Sequence, residues 1–198
     1  MITAEKVKDN PYEYNGVHSY LLEYIHKCKS GEIIIGQELM QMLDVLLGYF
    51  NNPYIELDEN TADRRIKIDF DAAHKRIKFI EKECKHFEAP HSGKPFLLML
   101  FQKAFTEAFY IFHIFDDEVQ RWIRLFQEFL FLVGRKNGKT PLISALDLAE
   151  FFCGEMGTKI LCSSNDYEQA DLMFQAIDAM REESPTLAKV TRKNVKGI

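Results

Sequence analysis

"FLFLVGRKNGKT", residues 129–140, is the stretch on which the reading of this chain turns. An apolar run from Phe129 to Val133 meets Gly134, two cations, Asn137, a second glycine and then Lys139-Thr140. Glycines let backbone N–H groups turn inward around phosphate oxygens with no Cβ in the way. A helix that follows offers its positive N-terminal end to the anion. In such a loop Lys139 would reach the β/γ-phosphates and the Thr140 hydroxyl would ligate Mg²⁺. Pro141 suits the first turn of a helix, where its missing N–H costs nothing. The usual pattern, G-x-x-x-x-G-K-[ST], requires glycine where Val133 stands, so the loop that starts at Gly134 is one residue short. A basic surface turn after a strand is the competing reading. The flanks favour the nucleotide loop: an apolar strand precedes it, and a helix carrying Leu142, Ala145, Leu146, Ala149 and Phe152 follows.

Downstream the pattern predicts a strand at 129–133, the loop, a helix at 141–153, a strand at 159–163 and a helix at 166–181. That β-α-β-α order implies a parallel sheet with helical crossovers. Asn165 and Glu168 fit an N-x-x-E helix cap. Upstream the chain reads as helical. Apolar residues at Val17, Tyr20, Leu21, Tyr24, Ile25 and Cys28 have helical spacing, and Gly31 can end that helix. Leu39, Leu43, Leu46, Leu47 and Phe50 mark a second helix, stopped by "NNP" at 51–53. Ile66, Phe70, Ala73, Ile77, Ile80, Cys84 and Phe87 alternate steps of four and three, the seam of a long helix in an intramolecular bundle or a coiled-coil dimer. "APHSGKP" (89–95) breaks the pattern. The expected fold is therefore α/β: a helical N-terminal region over 1–90, then the N-terminal part of a P-loop NTPase domain over 91–198.

The chain has 198 residues, 46% hydrophobic and 28% charged, as expected of a soluble globular protein. Its net charge of -5 argues against a globally basic nucleic-acid coat but leaves room for a local basic patch. Cys28, Cys84, Cys153 and Cys162 are scattered, and the N-terminus lacks a secretory leader, which together suggest reduced thiols in a cytoplasm. No apolar run approaches the roughly 20 residues needed to span a bilayer.

At the loop, Arg135-Lys136-Asn137-Gly138-Lys139-Thr140 resembles the large terminase subunit of tailed bacteriophages, the ATP-driven motor that packages DNA, whose loop reads R-x-x-G-K-[ST]. "GKPFLLMLFQ" (93–102) is similar to the family's G-x-P-F-x-L-x-x-W-Q segment, with Phe101 in place of the tryptophan. "SSNDYEQADLMF" (163–174), with its Gln169-Ala170 pair, and "SPTL" (184–187) add to it. "SGEIIIGQELM" (30–40) and the long helix leading to "HF" sit where the family carries its N-terminal helical region, so that the resemblance covers nearly the whole chain. It implies that Lys139 and Arg135 serve catalysis, Arg135 as a charge acting in cis on the γ-phosphate. Gly134, Arg135, Lys136, Asn137, Gly138, Lys139 and Thr140 would bind ATP, Thr140 would hold Mg²⁺, and Gln102 would contact adenine through a carboxamide that both donates and accepts. Double-stranded viral DNA, the small terminase subunit and the portal are the implied partners. A homo-oligomeric motor in the bacterial host cytoplasm is the implied setting.

Hydrolysis in this class also needs an Asp for Mg²⁺ and a Glu for water at the end of a later strand. "IFHIFDDE" (111–118) imitates that signature but precedes the loop, and reads instead as a turn between two apolar segments. No apolar strand ending in Asp-Glu follows Phe174, and no acidic nuclease cluster is present. The expectation is thus an ATPase segment of a packaging motor. The alternative is a truncated or split product that binds nucleotide or partner proteins without hydrolysing ATP. Cys84, His86 and His91 lack a recognised zinc spacing. Lys189, Arg192, Lys193 and Lys196 read as a solvated basic tail or a DNA-phosphate contact.

Overall fold

Asn15-Gly16 sits between two short extended pairs, β1 (Glu13–Tyr14) and β2 (Val17–His18), with φ of 52° and 80° at the two turn residues. That is the left-handed pair an Asn-Gly hairpin requires, and Tyr14 pairs with Val17 across it. The computed structural model describes residues 10–55 and 64–193, in two units. One contains the described residues up to His74 together with Met99–Leu130. The other contains Lys75–Leu98 and the described residues from Phe131 onward. The chain therefore passes between units three times, and the break expected near residue 90 falls inside the second.

In the first unit, α1 (Tyr20–Lys29) buries Leu21, Leu22, Ile25 and Cys28, and α2 (Gln37–Asn51) buries Leu43, Leu46 and Phe50. Val17, assigned to the first helix by spacing, belongs to β2 instead. A four-stranded sheet follows the order β3 (Tyr54–Ile55), β4 (Arg64–Ile68), β5 (Phe112–Asp116), β6 (Arg121–Arg124), with every pairing antiparallel. β4 corrects the expectation of an all-helical lead-in. Ile66 is buried in a strand rather than in a helical seam, because Arg65-Ile66-Lys67 alternates polar and apolar with the period of two that a half-buried strand needs. The helix α3 (Phe70–Glu83) begins only after Asp69 has donated its N–H to the Ile111 carbonyl. The apolar face of the sheet places Phe112 against the rings of Tyr49, Phe50 and Phe126. Helix α4 (Leu100–Tyr110) leads directly into β5 and packs on α1.

The "DDE" segment is the turn of the β5–β6 hairpin. Asp116 Oδ1 accepts the N–H groups of Glu118 and Val119 at 2.9 and 3.1 Å, and Asp116 pairs with Arg121 across the ladder. An aspartate that folds back on its own backbone makes a turn locally.

In the second unit, Ile77 and Ile80 of α3 and Cys84, just past its end, are buried, as are Phe96 and Leu98. Glu81 accepts the N–H of Leu98 at 3.1 Å. Burial pushes the Cys84 thiol up to about 12, so it stays a protonated core residue. Helix α5 (Lys139–Cys153) packs on α6 (Tyr167–Glu182), and α7 (Pro185–Val190) closes the unit by burying Leu187. On α5, Glu150 accepts from Arg76 Nε at 2.8 Å and Phe152 stacks on Phe79. The cap of α6 is Asp166, one residue later than the sequence pattern suggests, and its side chain accepts the N–H of Glu168.

Both helices expected after the loop form, but their flanking strands do not. Residues 129–133 and 159–163 lie outside every described strand pairing, with Leu130 and Leu132 each 81% exposed and Leu161 91% exposed. An apolar run becomes a strand only when a neighbour takes its N–H and C=O groups, and none of the described residues does so here. The structure is thus mixed helix and sheet, and its described sheets are antiparallel.

Candidate functional site

The loop ahead of α5 is shaped by two left-handed residues two positions apart, Lys136 with φ 67° and Gly138 with φ 70°. Gly138 pays no Cβ penalty there, whereas Lys136 holds a conformation that costs an L-residue roughly 1–2 kcal/mol. Asn137 braces the turn from within, its Nδ2 donating to the Gly134 carbonyl at 3.1 Å. A Cβ on Gly134 would lie 3.1 Å from that same Nδ2, so a side chain there would press on the brace. Arg135, Lys136, Asn137 and Lys139 are exposed, and Thr140 is half-buried.

Gly138 is the N-cap of α5, and no side chain caps the helix. Lys139 and Thr140 are the first two helical residues, and Pro141, the third, has no N–H to satisfy. The first intrahelical bond runs from Leu142 N–H to the Gly138 carbonyl at 3.1 Å. The N-terminal end therefore presents uncapped backbone donors beside the Lys139 and Arg135 cations. Two turns along α5 stands Asp147, whose significance the sequence reading missed. Burial, with a smaller contribution from Glu150, raises its carboxyl to about 6. The signal available in the sequence was a lone aspartate in the run "LISALDLAEFF".

Gln102 belongs to the other unit, on the first turn of α4, and is 6% exposed. Its Oε1 accepts the Met99 N–H at 2.8 Å and its carbonyl accepts the Thr106 hydroxyl at 2.8 Å. The glutamine thus caps its own helix, a local role that was not foreseen.

Other candidate clusters resolve into packing. Cys84 is buried in the core while His86 packs edge-on against Phe96, and among the described residues no group of three His, Cys, Asp or Glu side chains is placed to hold a metal. In the basic tail, Lys193 Nζ donates to Asp178 Oδ2 at 2.6 Å, and Lys196 lies outside the described residues. Burial raises the Asp178 carboxyl, but hydrogen bonds from Lys193 and Arg181 outweigh it and hold the group below the usual carboxylate range. Among the described residues no helix is long and apolar enough to cross a membrane.

Residues 108–197 match the family described as terminase large subunit, ATPase domain, and over this span the chain is terminase large subunit-like. The match contains the loop and α5, while Gln102 lies upstream of it. No curated protein and no solved structure matches the chain significantly.

Proposed function

Residues 108–197 being terminase large subunit-like, we propose that the loop at 134–140 binds Mg-ATP in a viral DNA-packaging motor. The observation that carries this reading is the uncapped N-terminus of α5, entered through two left-handed residues and flanked by cations. Left-handed residues at alternate positions curl the chain so that successive N–H groups face a concave side, where phosphate oxygens fit. Gly134, Lys136, Asn137 and Gly138 shape that concavity, and Lys139 extends over the β/γ-phosphates. Arg135 supplies a guanidinium to charge developing on the γ-phosphate. The Thr140 hydroxyl is a hard oxygen donor at the helix end and suits one position of Mg²⁺, which would screen the phosphate charge. Gln102 is the base contact that the resemblance assigns. With its oxygen committed to Met99, the carboxamide would offer adenine its NH₂.

In the same reading the segments 129–133 and 159–163, outside every described strand pairing, would take up strand pairing in a parallel β-α-β sheet around α5. Their exposed Leu130, Leu132 and Leu161 support it, being apolar side chains on backbone without a ladder partner among the described residues. Double-stranded phage DNA, the small terminase subunit, the portal and further copies of the motor subunit are the partners, in the host cytoplasm.

A second reading is favoured by the β5–β6 turn: the chain holds nucleotide without hydrolysing it. Asp116, Asp117 and Glu118 form the turn of an antiparallel hairpin upstream of the loop and in the other unit, rather than the end of a later strand where hydrolysis needs its acidic pair. Equilibrium titration with Mg-ATP tests the site: Lys139→Ala should abolish binding, and unchanged affinity would refute the assignment. Phosphate release under saturating ATP then separates the two readings, since turnover supports the motor and binding without turnover supports the second.

A further inference from the structure

The antiparallel sheet of the first unit has two chemically opposite faces. Successive residues of a strand point to opposite sides, and directly paired residues share a side. The register Tyr54↔Arg65, Lys67↔His113, His113↔Arg124 and Phe115↔Trp122 therefore puts these residues on one face, and Ile66, Ile114 and Ile123 on the other. The isoleucine face turns inward at Ile66, only 2% exposed, and is half-buried at Ile114 and Ile123. The other face carries three aromatics, of which Tyr54 is 46% and Trp122 41% exposed, and Trp122 rests edge-on against Phe115 at 5.7 Å.

Its charge is equally one-sided. Arg65, Lys67 and Arg124 occupy it, and its paired positions include no acid, although the whole chain carries 30 acids to 25 bases. Arg65 and Lys67 are exposed. Lys67 is paired with Asp69 at 3.0 Å, an exposed contact that a phosphate can replace. Arg124 lies over the rings of Phe109 and Tyr110 at 4.6 and 5.3 Å, which fixes its guanidinium at the edge of the face. Burial pushes His113 below the usual imidazole range, so it adds no charge at neutral pH.

Aromatic rings set among cations on an open sheet fit a ligand that is both polyanionic and flat-ringed. We propose that this face binds single-stranded nucleic acid, bases stacking on Trp122 and Tyr54 while the phosphates run past Arg65 and Lys67. A duplex would keep its bases stacked on each other and leave the aromatic rings unused. The surface lies in the other unit from the nucleotide loop and does not depend on it.

Trp122 is the chain's one tryptophan, so the protein carries its own reporter. The full chain is titrated with a short oligo-dT while tryptophan emission and the anisotropy of the labelled oligonucleotide are followed, alongside a duplex of equal length. The expected result is quenching of Trp122, preference for the single strand, and log affinity falling with log salt at a slope of about -1.4 for the two cations Arg65 and Lys67. Trp122→Ala should weaken binding about tenfold. The charge reversal Arg65→Glu with Lys67→Glu should remove it, with circular dichroism confirming that both variants fold. Equal binding of the duplex, unquenched tryptophan, or parental affinity in Trp122→Ala would overturn the proposal.

Discussion

Two helix N-termini in this protein are treated in opposite ways. At α1 the protein closes the end with its own anion. Ser19 caps Leu22 N–H at 3.1 Å and donates its hydroxyl to Glu107 Oε2 at 2.7 Å, and the same oxygen accepts Leu21 N–H at 2.8 Å. Glu107 Oε1 sits 2.6 Å from His74 Nε2, and the glutamate is completely buried. At α5 there is no side-chain cap, the N-cap is a left-handed glycine, and the nearest charged residues in the chain are cations. Backbone donors at a helix start need an acceptor, and a carboxylate is a good one. Where the fold supplies that acceptor, the helix end is structural. Where it leaves the donors open and adds positive charge, the acceptor is expected to come from outside.

The comparison breaks most visibly at Glu107. Glu107→Ala strands the buried Ser19 hydroxyl and Leu21 N–H and takes the partner from half-buried His74, and should cost about 3 kcal/mol in urea unfolding. A loss below about 1 kcal/mol would mean that the carboxylate is not what closes α1. Next in size is Gly138→Ala. Beyond its chain neighbours nothing lies within 4 Å of the added Cβ, so the penalty comes from the φ of 70° alone and should be about 1–2 kcal/mol in urea unfolding. A neutral Gly138→Ala would show that the loop does not keep its left-handed turn.

The smallest effect is expected at Asp147, further along the same helix. Its carboxyl is raised to about 6 by burial and by Glu150, so the folded state prefers the proton. Its contribution is complete below the unfolded carboxylate value of about 4 and is lost as pH rises through about 6. After discounting for partial exposure, Asp147→Asn should gain about 1 kcal/mol over the parent at pH 8 and nothing near pH 4. An advantage independent of pH would point to packing rather than charge.

The contrast between the two helix ends was only half legible in the sequence. The α5 end is local: Gly134, Gly138, Lys139, Thr140 and Pro141 are contiguous, and their conformational preferences can be read in order. The β5–β6 turn was legible for the same reason, Asp116 bonding only two and three residues ahead. The α1 end was hidden because Glu107 stands 88 residues from Ser19, and nothing in a local pattern joins them. β4 was missed because Ile66 and Phe70 are four apart, a helical step that here spans a strand, a connecting aspartate and a helix start. The segments 129–133 and 159–163 have strand-like composition, but composition does not provide a partner.

The most direct test follows backbone amide signals by NMR as Mg-ATP is added to the isotopically labelled chain. Large shifts are expected at Gly138, Lys139 and Thr140, with Leu21 and Leu22 unmoved because their N–H groups already have acceptors. Silent amides at 138–140 through saturating nucleotide, or shifts confined to the α1 end, would contradict the site assignment.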